Sequence, residues 1–260
     1  VTAATTLFDT TNNGARASGA NITFAKTLNG SAPNAQSVTL NAGTGGSVLV
    51  TGAIGGVNSL NTLTLANSNG AIFSSPVTAD TAVVITDTTA GRTVRFADNL
   101  TTGALNTTGN GYHLELLGAA TNVTAATTFL NNGTLKLGDA ATDSLSFAGG
   151  LVATAPTSIS LGGTIATTNT AMNLGDNNTP VVLNSNVTLS TLSGALTLGG
   201  VVYGTHDLVL NSTGVTTLVD AVGGNGQALT SLTINAGGSL LINGGVITTS
   251  GAQTYNDDVL

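Results

Sequence analysis

Two stretches of this chain repeat one another and decide its fold. The first is SVTLNAGTGGSVLVTGAIGGVNSLNTLTL, from Ser37 to Leu65, and the second is DLVLNSTGVTTLVDAVGGNGQALTSLTI, from Asp207 to Ile234. Each contains a strand pattern, an Asn-containing turn, a second strand pattern, the element Ala-[Ile/Val]-Gly-Gly, a variable loop and a third strand pattern. Recurrence on this scale is typical of folds that stack similar units. The chain is therefore expected to be a protein of degenerate repeats.

Short segments in which apolar and polar residues alternate occur along the whole chain. Such alternation, rich in β-branched residues, predicts strands with one buried face. The segments are followed by Asn, Gly or Asp, which accept the backbone conformations of tight turns. No window places apolar residues at helical spacing, so almost no α-helix is expected. The predicted strands are Ser37–Leu40, Ser47–Val50, Thr62–Leu65, Ala82–Thr86, His113–Leu116, Thr134–Leu137, Ser144–Phe147, Ser158–Leu161, Ala195–Leu198, Asp207–Leu210, Ser231–Ile234 and Ser239–Ile242.

Charged residues are unusually scarce. They make up 7% of the 260 residues, against about 25% in an average soluble domain. Stacked repeats explain this scarcity, because a charge that recurs in every unit would face its own copy. Two like charges about 4.8 Å apart repel by about 0.9 kcal/mol in water and by about 3 to 4 kcal/mol at an effective dielectric constant of about 20. Uncharged Thr and Asn avoid that repulsion and can form hydrogen bonds along the stack.

These features together predict an all-β fold, a right-handed parallel β-helix or β-solenoid. With roughly 18 to 24 residues in each coil, the chain would form about 11 to 14 coils. Residues 1–260 are expected to form a single solenoid segment. A pair of β-sandwiches and a β-propeller are the alternatives, but neither accounts for the missing charge.

Composition also bears on partners and compartment. Twelve acidic and five dispersed basic residues give a net charge of −7, and nucleic acid binding requires clustered Lys and Arg, so no nucleic acid partner is expected. No apolar run approaches the roughly 20 residues of a membrane-spanning helix, so no membrane-spanning segment is expected. The chain has no Cys, which excludes disulfides and Cys zinc sites and is consistent with export.

The only charge cluster of mixed sign lies in TDTTAGRTVRFAD, which contains Asp87, Arg92, Arg95 and Asp98. Arg92 and Asp98 are expected in or near turns, and Arg95 is expected to point outward between two apolar neighbours. A group of ion pairs at the surface is the favoured interpretation, and an active site is the alternative, because catalysis needs converging titratable groups.

Two turn sequences could be taken for calcium sites. Asp139 and Asp143 in GDAATD offer two carboxylates, whereas calcium takes six to eight oxygen ligands. We therefore interpret them as solvated turn residues, with calcium binding as the alternative. GGNG at Gly223–Gly226 has Ala228 where the calcium-binding nonapeptide has Asp, so it is interpreted as a turn.

His113 and His206 are the only histidines, and each begins a predicted strand. Alternation places His113 and Glu115 on the same outward side, which allows a hydrogen bond and gives no triad. The chain has no G-x-S-x-G, no P-loop and no dinucleotide-binding glycine pattern. We assign no catalytic, cofactor-binding or metal-binding residues, expect no cofactor, and expect the protein not to be an enzyme.

Several stretches carry a family likeness, namely GANITFAKTLNG (Gly19–Gly30), VTLNAG (Val38–Gly43), GAIGGVNSLNTLTL (Gly52–Leu65) and GVITTSGAQTYNDDVL (Gly245–Leu260). They resemble the degenerate repeats of filamentous-haemagglutinin-like and autotransporter-type adhesins, which are very large bacterial surface proteins. The resemblance implies export across the outer membrane and a right-handed β-helical fold. The family's export signal and secretion-recognition region have no counterpart in this chain.

The resemblance implies a non-catalytic stalk or fibre segment of an extracellular bacterial adhesin at the cell surface. Expected partners are neighbouring copies or repeats, stacked end to end into filaments, and host-surface, matrix or glycan ligands. The alternatives are a β-helical carbohydrate-active enzyme of the polysaccharide lyase or hydrolase type, and an ice- or glycan-binding solenoid. GAQTYNDDVL, Gly251–Leu260, resembles the opening of a repeat unit. We therefore expect the chain to be a fragment or a subunit of a longer array.

Overall fold

A computed structural model describes all residues from Val1 to Leu260. The chain contains no helix and is about 48% strand, and its parallel strands stack as a β-solenoid of about ten turns. No helix of the length and apolarity that would cross a membrane is present. The chain divides into two compact units, residues 1–124 with 130–133 and residues 125–129 with 134–260.

The first unit contains eleven strands, and every pairing between them is parallel. One stack contains β2, β4, β6, β8 and β10, and another contains β1, β3, β5, β7 and β9. Isolated bridges that join Leu28, Ile54 and Val77 begin a third stack, which continues from β7 through β9 to β11. The strands are β1 (Thr5–Asp9), β2 (Ile22–Phe24), β3 (Ser37–Asn41), β4 (Val48–Val50), β5 (Leu60–Asn67), β6 (Ala71–Phe73), β7 (Val77–Ile85), β8 (Thr93–Phe96), β9 (Leu100–Asn106), β10 (His113–Leu116) and β11 (Ala120–Val123).

The second unit contains fifteen strands with the same parallel arrangement. Seven of them, from β12 through β15, β17, β19, β22 and β24 to β26, form one sheet. The strands β16 and β18 are long, and the two ends of each belong to different stacks of parallel strands. A register shift in their pairing after Leu161 marks the point where β16 passes from one stack to the next. The strands are β12 (Thr127–Thr128), β13 (Thr134–Leu137), β14 (Ser144–Phe147), β15 (Leu151–Ala153), β16 (Ser158–Ala166), β17 (Met172–Leu174), β18 (Val181–Leu192), β19 (Leu196–Leu198), β20 (Val202–Tyr203), β21 (Asp207–Ser212), β22 (Val215–Leu218), β23 (Ser231–Ile234), β24 (Ser239–Ile242), β25 (Gln253–Tyr255) and β26 (Asp258–Val259).

The number of coils is smaller than the 11 to 14 expected from sequence. A residue and its partner one coil further along are separated by 19 residues at Ser239 and Asp258, and by 26 at Ile22 and Val48. Thr5 pairs with Ser37, 32 residues away, because the irregular segment of residues 10–19 lies between them. Longer loops therefore lengthen the coils and reduce their number to about ten.

The interior of each unit is a column of mostly aliphatic side chains, one layer per coil. Val38 and Leu40 in β3 are fully buried, while the residues between and beside them are half-buried. The few aromatic rings also stack, since the Phe73 and Phe96 ring centroids on β6 and β8 lie 4.8 Å apart. All twelve predicted strand segments lie wholly or mostly within strands of the structure.

The two repeated stretches form the same local structure. In each of them the third strand pairs with the first, β5 with β3 in one and β23 with β21 in the other. Ile54 and Val222, at matching positions of the Ala-[Ile/Val]-Gly-Gly elements, both form isolated parallel bridges. The next residues, Gly55 and Gly223, have φ values of 68° and 74°. A Cβ at either position would collide with a carbonyl oxygen of the following coil, so glycine is required there.

The register of the strands agrees with the electrostatic explanation of the scarcity of charge. Arg95 faces Glu115 in the pairing of β8 with β10, whereas Lys136 and Asp207 face the uncharged Ser160 and Ser231. Like charges do not face one another in any of the paired registers within the two units. Outward positions are instead occupied mainly by Thr, Ser and Asn.

This arrangement predicts a measurable repulsion between stacked charges. Thr164 on β16 and Thr188 on β18 face each other on the outward side of the second unit. Replacing both by Asp should lower the free energy of unfolding by about 1 kcal/mol more than the sum of the two single changes. The pair Thr164→Asp with Thr188→Lys should show coupling of the opposite sign. Urea unfolding of the single and double variants measures both coupling energies. Additive effects would contradict the explanation that repulsion between stacked like charges keeps charged residues scarce.

Candidate binding groove

A groove of about 520 Å³ lies on the outward face of β2, β4, β6 and β8 in the first unit. The strand register places Thr23, Leu49, Ile72 and Arg95 in one row across these four strands. Successive parallel strands lie about 4.8 Å apart, so the row is about 14 Å long. The groove is therefore a shallow channel that crosses four coils at right angles to their strands.

The floor of the groove is apolar. Leu49 and Ile72 point outward between buried neighbours, and 37% and 42% of their surfaces are exposed. The adjacent outward row, two residues earlier along each strand, contains Gly70 between the hydroxyl side chains of Ser47 and Thr93. Gly70 has a φ of 102°, which strongly favours glycine, and a Cβ placed there would meet nothing closer than 3.4 Å. The missing side chain leaves the floor accessible at this point.

Two of the five basic residues line the groove, and no acidic residue does. The Arg95 Nε atom donates to the Glu115 Oε2 atom at 2.5 Å, which leaves the N–H groups of both Nη atoms for other acceptors. Arg92 is exposed, and its guanidinium has neither an ion pair nor a hydrogen bond within the protein. One guanidinium without an ion-pair partner, that of Arg92, therefore lines the groove on a chain whose net charge is −7.

The structure separates the four residues of the predicted charge cluster. Arg95 points outward between buried Val94 and Phe96, as expected, but its partner is Glu115 rather than Asp87 or Asp98. Asp87 accepts a hydrogen bond from the Asn110 side chain at 2.9 Å. Asp98 accepts one from the backbone N–H of Asn99 at 2.7 Å, within a bend. The sequence did not indicate Glu115 as the partner of Arg95, because Glu115 lies on the strand one coil further along.

The histidines lie apart from the groove's lining. His113 and Glu115 lie on the same outward side of β10, as alternation predicted, and Leu114 and Leu116 between and beyond them are buried. His206 lies in the turn before β21 and is half-buried. Its backbone carbonyl accepts a hydrogen bond from Thr230 in the next coil.

Asp139 and Asp143 differ in their environments. Asp143 is 5% exposed, and its Oδ2 atom accepts hydrogen bonds from the backbone N–H groups of Asp139 and Ala140 at 2.9 and 3.0 Å. Asp139 is exposed and lies 4.0 Å from the Lys136 ammonium. The prediction that both are solvated turn residues is wrong for Asp143, because its carboxylate holds the turn together from inside.

Other acidic and glycine-rich turns are organised by local hydrogen bonds. Gly223–Gly226 is a turn, as predicted, in which Asn225 and Gly226 have φ values of 52° and 71°. The Thr11 hydroxyl donates to Asp9 at 2.6 Å, and this bond, with backbone N–H donors, holds the pKa of that carboxyl below its usual range. The backbone N–H of Asn178 lowers the pKa of Asp176 in the same way.

No group of three or more His, Asp or Glu side chains is arranged to hold a metal ion. Comparison with protein-family models, curated proteins and solved structures found no match for this chain.

The sequence reasoning missed the groove although its signal was present. In VLV at Val48–Val50 and AIF at Ala71–Phe73, three apolar residues follow one another within a strand. Since successive side chains point to opposite faces, the middle residue of such a triplet must point outward. Only the strand register shows that Leu49, Ile72 and the two arginines lie side by side.

The contrast between Asp143 and Asp139 gives a direct test of the turn. Asp143→Asn should lower the free energy of unfolding by about 1 to 3 kcal/mol. The buried carboxylate that accepts two backbone hydrogen bonds is then replaced by a neutral amide, which accepts them more weakly. Asp139→Asn, the matched control, should change it by less than about 0.5 kcal/mol. Urea unfolding with and without calcium measures both. If the two substitutions lowered the free energy of unfolding equally, and only when calcium is present, the turn would be a metal site instead.

Proposed function

We propose that this chain is a non-catalytic structural and adhesive segment of an extracellular bacterial surface protein, and that copies of it associate end to end. The observation that carries the proposal is the uncharged polar surface of a stacked β-solenoid. Such a scaffold presents many weak hydrogen-bonding groups at fixed spacing, which favours multivalent contact with other surfaces. The resemblance of the repeats to those of large adhesins supports the same function.

The outward rows of the second unit illustrate this surface. One row contains Thr164, Thr188, Val209 and Thr233, each facing the next across paired strands. Every member of the row is half-buried. Thr and Val are β-branched and have restricted χ1 rotamers, so fixing these side chains against a partner costs little entropy.

The end coils supply the features that favour association between copies. In the first unit β1 pairs only with β3, and in the second β26 pairs only with β24. Val259 on β26 continues the interior column of the fully buried Leu240, yet 51% of its own surface is exposed. An unpaired strand edge with an exposed apolar column is a template for another strand. A second copy that stacks on this end would cover both the unpaired strand edge and the exposed apolar side chain.

End-to-end association predicts concentration-dependent filaments. Electron microscopy and sedimentation velocity of the whole chain should show particles that lengthen with protein concentration. Val259→Lys should weaken the association about tenfold or more, because a buried charge at the contact is costly.

Val57→Lys provides the matched control, since Val57 is the most exposed of the large apolar side chains and lies in a loop outside the end strands. It should leave the association unchanged. A chain that stays monomeric at all concentrations would contradict end-to-end association. So would assembly that Val259→Lys does not weaken.

A further inference from the structure

We infer that the groove on β2, β4, β6 and β8 binds an extended peptide segment that carries an aliphatic side chain and, two residues further on, a carboxylate. The inference rests on the proposed adhesive function and names the chemical class of one partner. It is carried by the juxtaposition of the exposed Leu49 and Ile72 with Arg92 and Arg95.

Charge selects an anionic partner. The chain has twelve acidic and five basic residues, yet two of the basic residues and none of the acidic ones line this groove. Arg92 has no partner within the protein, and Arg95 keeps its Nη donors although it pairs with Glu115. A guanidinium whose N–H groups have no partner within the protein can bind a carboxylate through two parallel hydrogen bonds.

The spacing of the groove matches an extended peptide. An aliphatic side chain centred between Leu49 and Ile72 lies about one and a half strand spacings, or about 7 Å, from the row position of Arg95. In an extended peptide, side chains two residues apart lie on the same side and are separated by about 6.7 Å. The whole row, about 14 Å long, accommodates about four extended residues.

The polar groups beside the floor suit a peptide backbone that does not join the sheet. Of the strands under the groove, β4, β6 and β8 are paired on both sides, so a ligand that lies over them cannot add as a further strand. The Asn69 side-chain amide has no hydrogen bond within the protein and offers both a donor and an acceptor to peptide groups. Gly70 leaves room for the backbone to approach.

A hydroxylated, anionic glycan fits less well. The floor consists of two branched aliphatic side chains side by side, and no aromatic ring lines the groove. Burying that floor stabilises a complex only if the ligand brings apolar surface to it. An aliphatic side chain does so, whereas a chain of hydroxyl groups would lose hydrogen bonds to water.

The test uses fluorescein-labelled peptides and the whole chain at a dilution where it is monomeric, so that the result does not depend on filament assembly. The peptide Ser-Ile-Thr-Asp-Ser should bind, with affinity that falls as salt rises. Replacing its Asp by Asn should weaken binding about tenfold, and replacing its Ile by Ser should weaken it about fourfold. Fluorescence anisotropy measures each dissociation constant.

Variants of the protein locate the site. Arg92→Ser should weaken binding of the Asp peptide about tenfold, whereas Arg16→Ser, which removes an exposed arginine outside the groove, should not. Leu49→Thr should weaken it about fourfold, and Leu7→Thr, at an exposed outward position on β1, should leave it unchanged. Thr already occupies the equivalent outward position on β2, so the fold should tolerate the change.

Three results would overturn the inference. The first is no binding of the Asp peptide at about 1 mM, and the second is equal binding of the Asp and Asn peptides. The third is tighter binding of polygalacturonate or heparin that displaces the peptide and depends on Arg92, which would assign the groove to an anionic glycan. None of them bears on end-to-end association, which is measured without peptide.

Discussion

Every feature of this protein depends on parallel strands of successive coils lying directly over one another. At a spacing of about 4.8 Å, any outward side chain has a neighbour of the next coil within reach. Like charges in such a row repel, so the rows consist mainly of uncharged residues, above all Thr, Ser and Asn. Where two charges do face each other across paired strands of the first unit, they are the opposite charges of Arg95 and Glu115. Inside, the same geometry admits one layer of aliphatic residues per coil.

Most of the fold could be predicted from the sequence because the repeat and the alternation are both local signals. SVTL at Ser37–Leu40 and its match at Asp207–Leu210 predicted strands that the structure confirms. The number of coils was overestimated, since loop lengths such as that of residues 10–19 follow no pattern. Short strands such as β12 at Thr127–Thr128 carry too few residues to show alternation.

The candidate site was harder to predict, because it depends on which residues share a row. Arg92 and Arg95 were recognised as unusual, but nothing in the sequence places Leu49 and Ile72 beside them, 20 to 46 residues away along the chain. Asp143 was missed for a related reason. Its carboxylate is buried by the way the turn folds back on it, and a turn sequence alone gives no measure of burial.

The central claim is that strands pair in parallel with the strand one coil away and not with the next strand in sequence. Nuclear Overhauser contacts measured on the labelled protein test this most directly. The account predicts contacts between Val38 and Leu63 and between Val48 and Ala71. Contacts that pair β3 with β4 as an antiparallel hairpin would contradict the solenoid and with it the groove, the open end coils and the explanation of the missing charge.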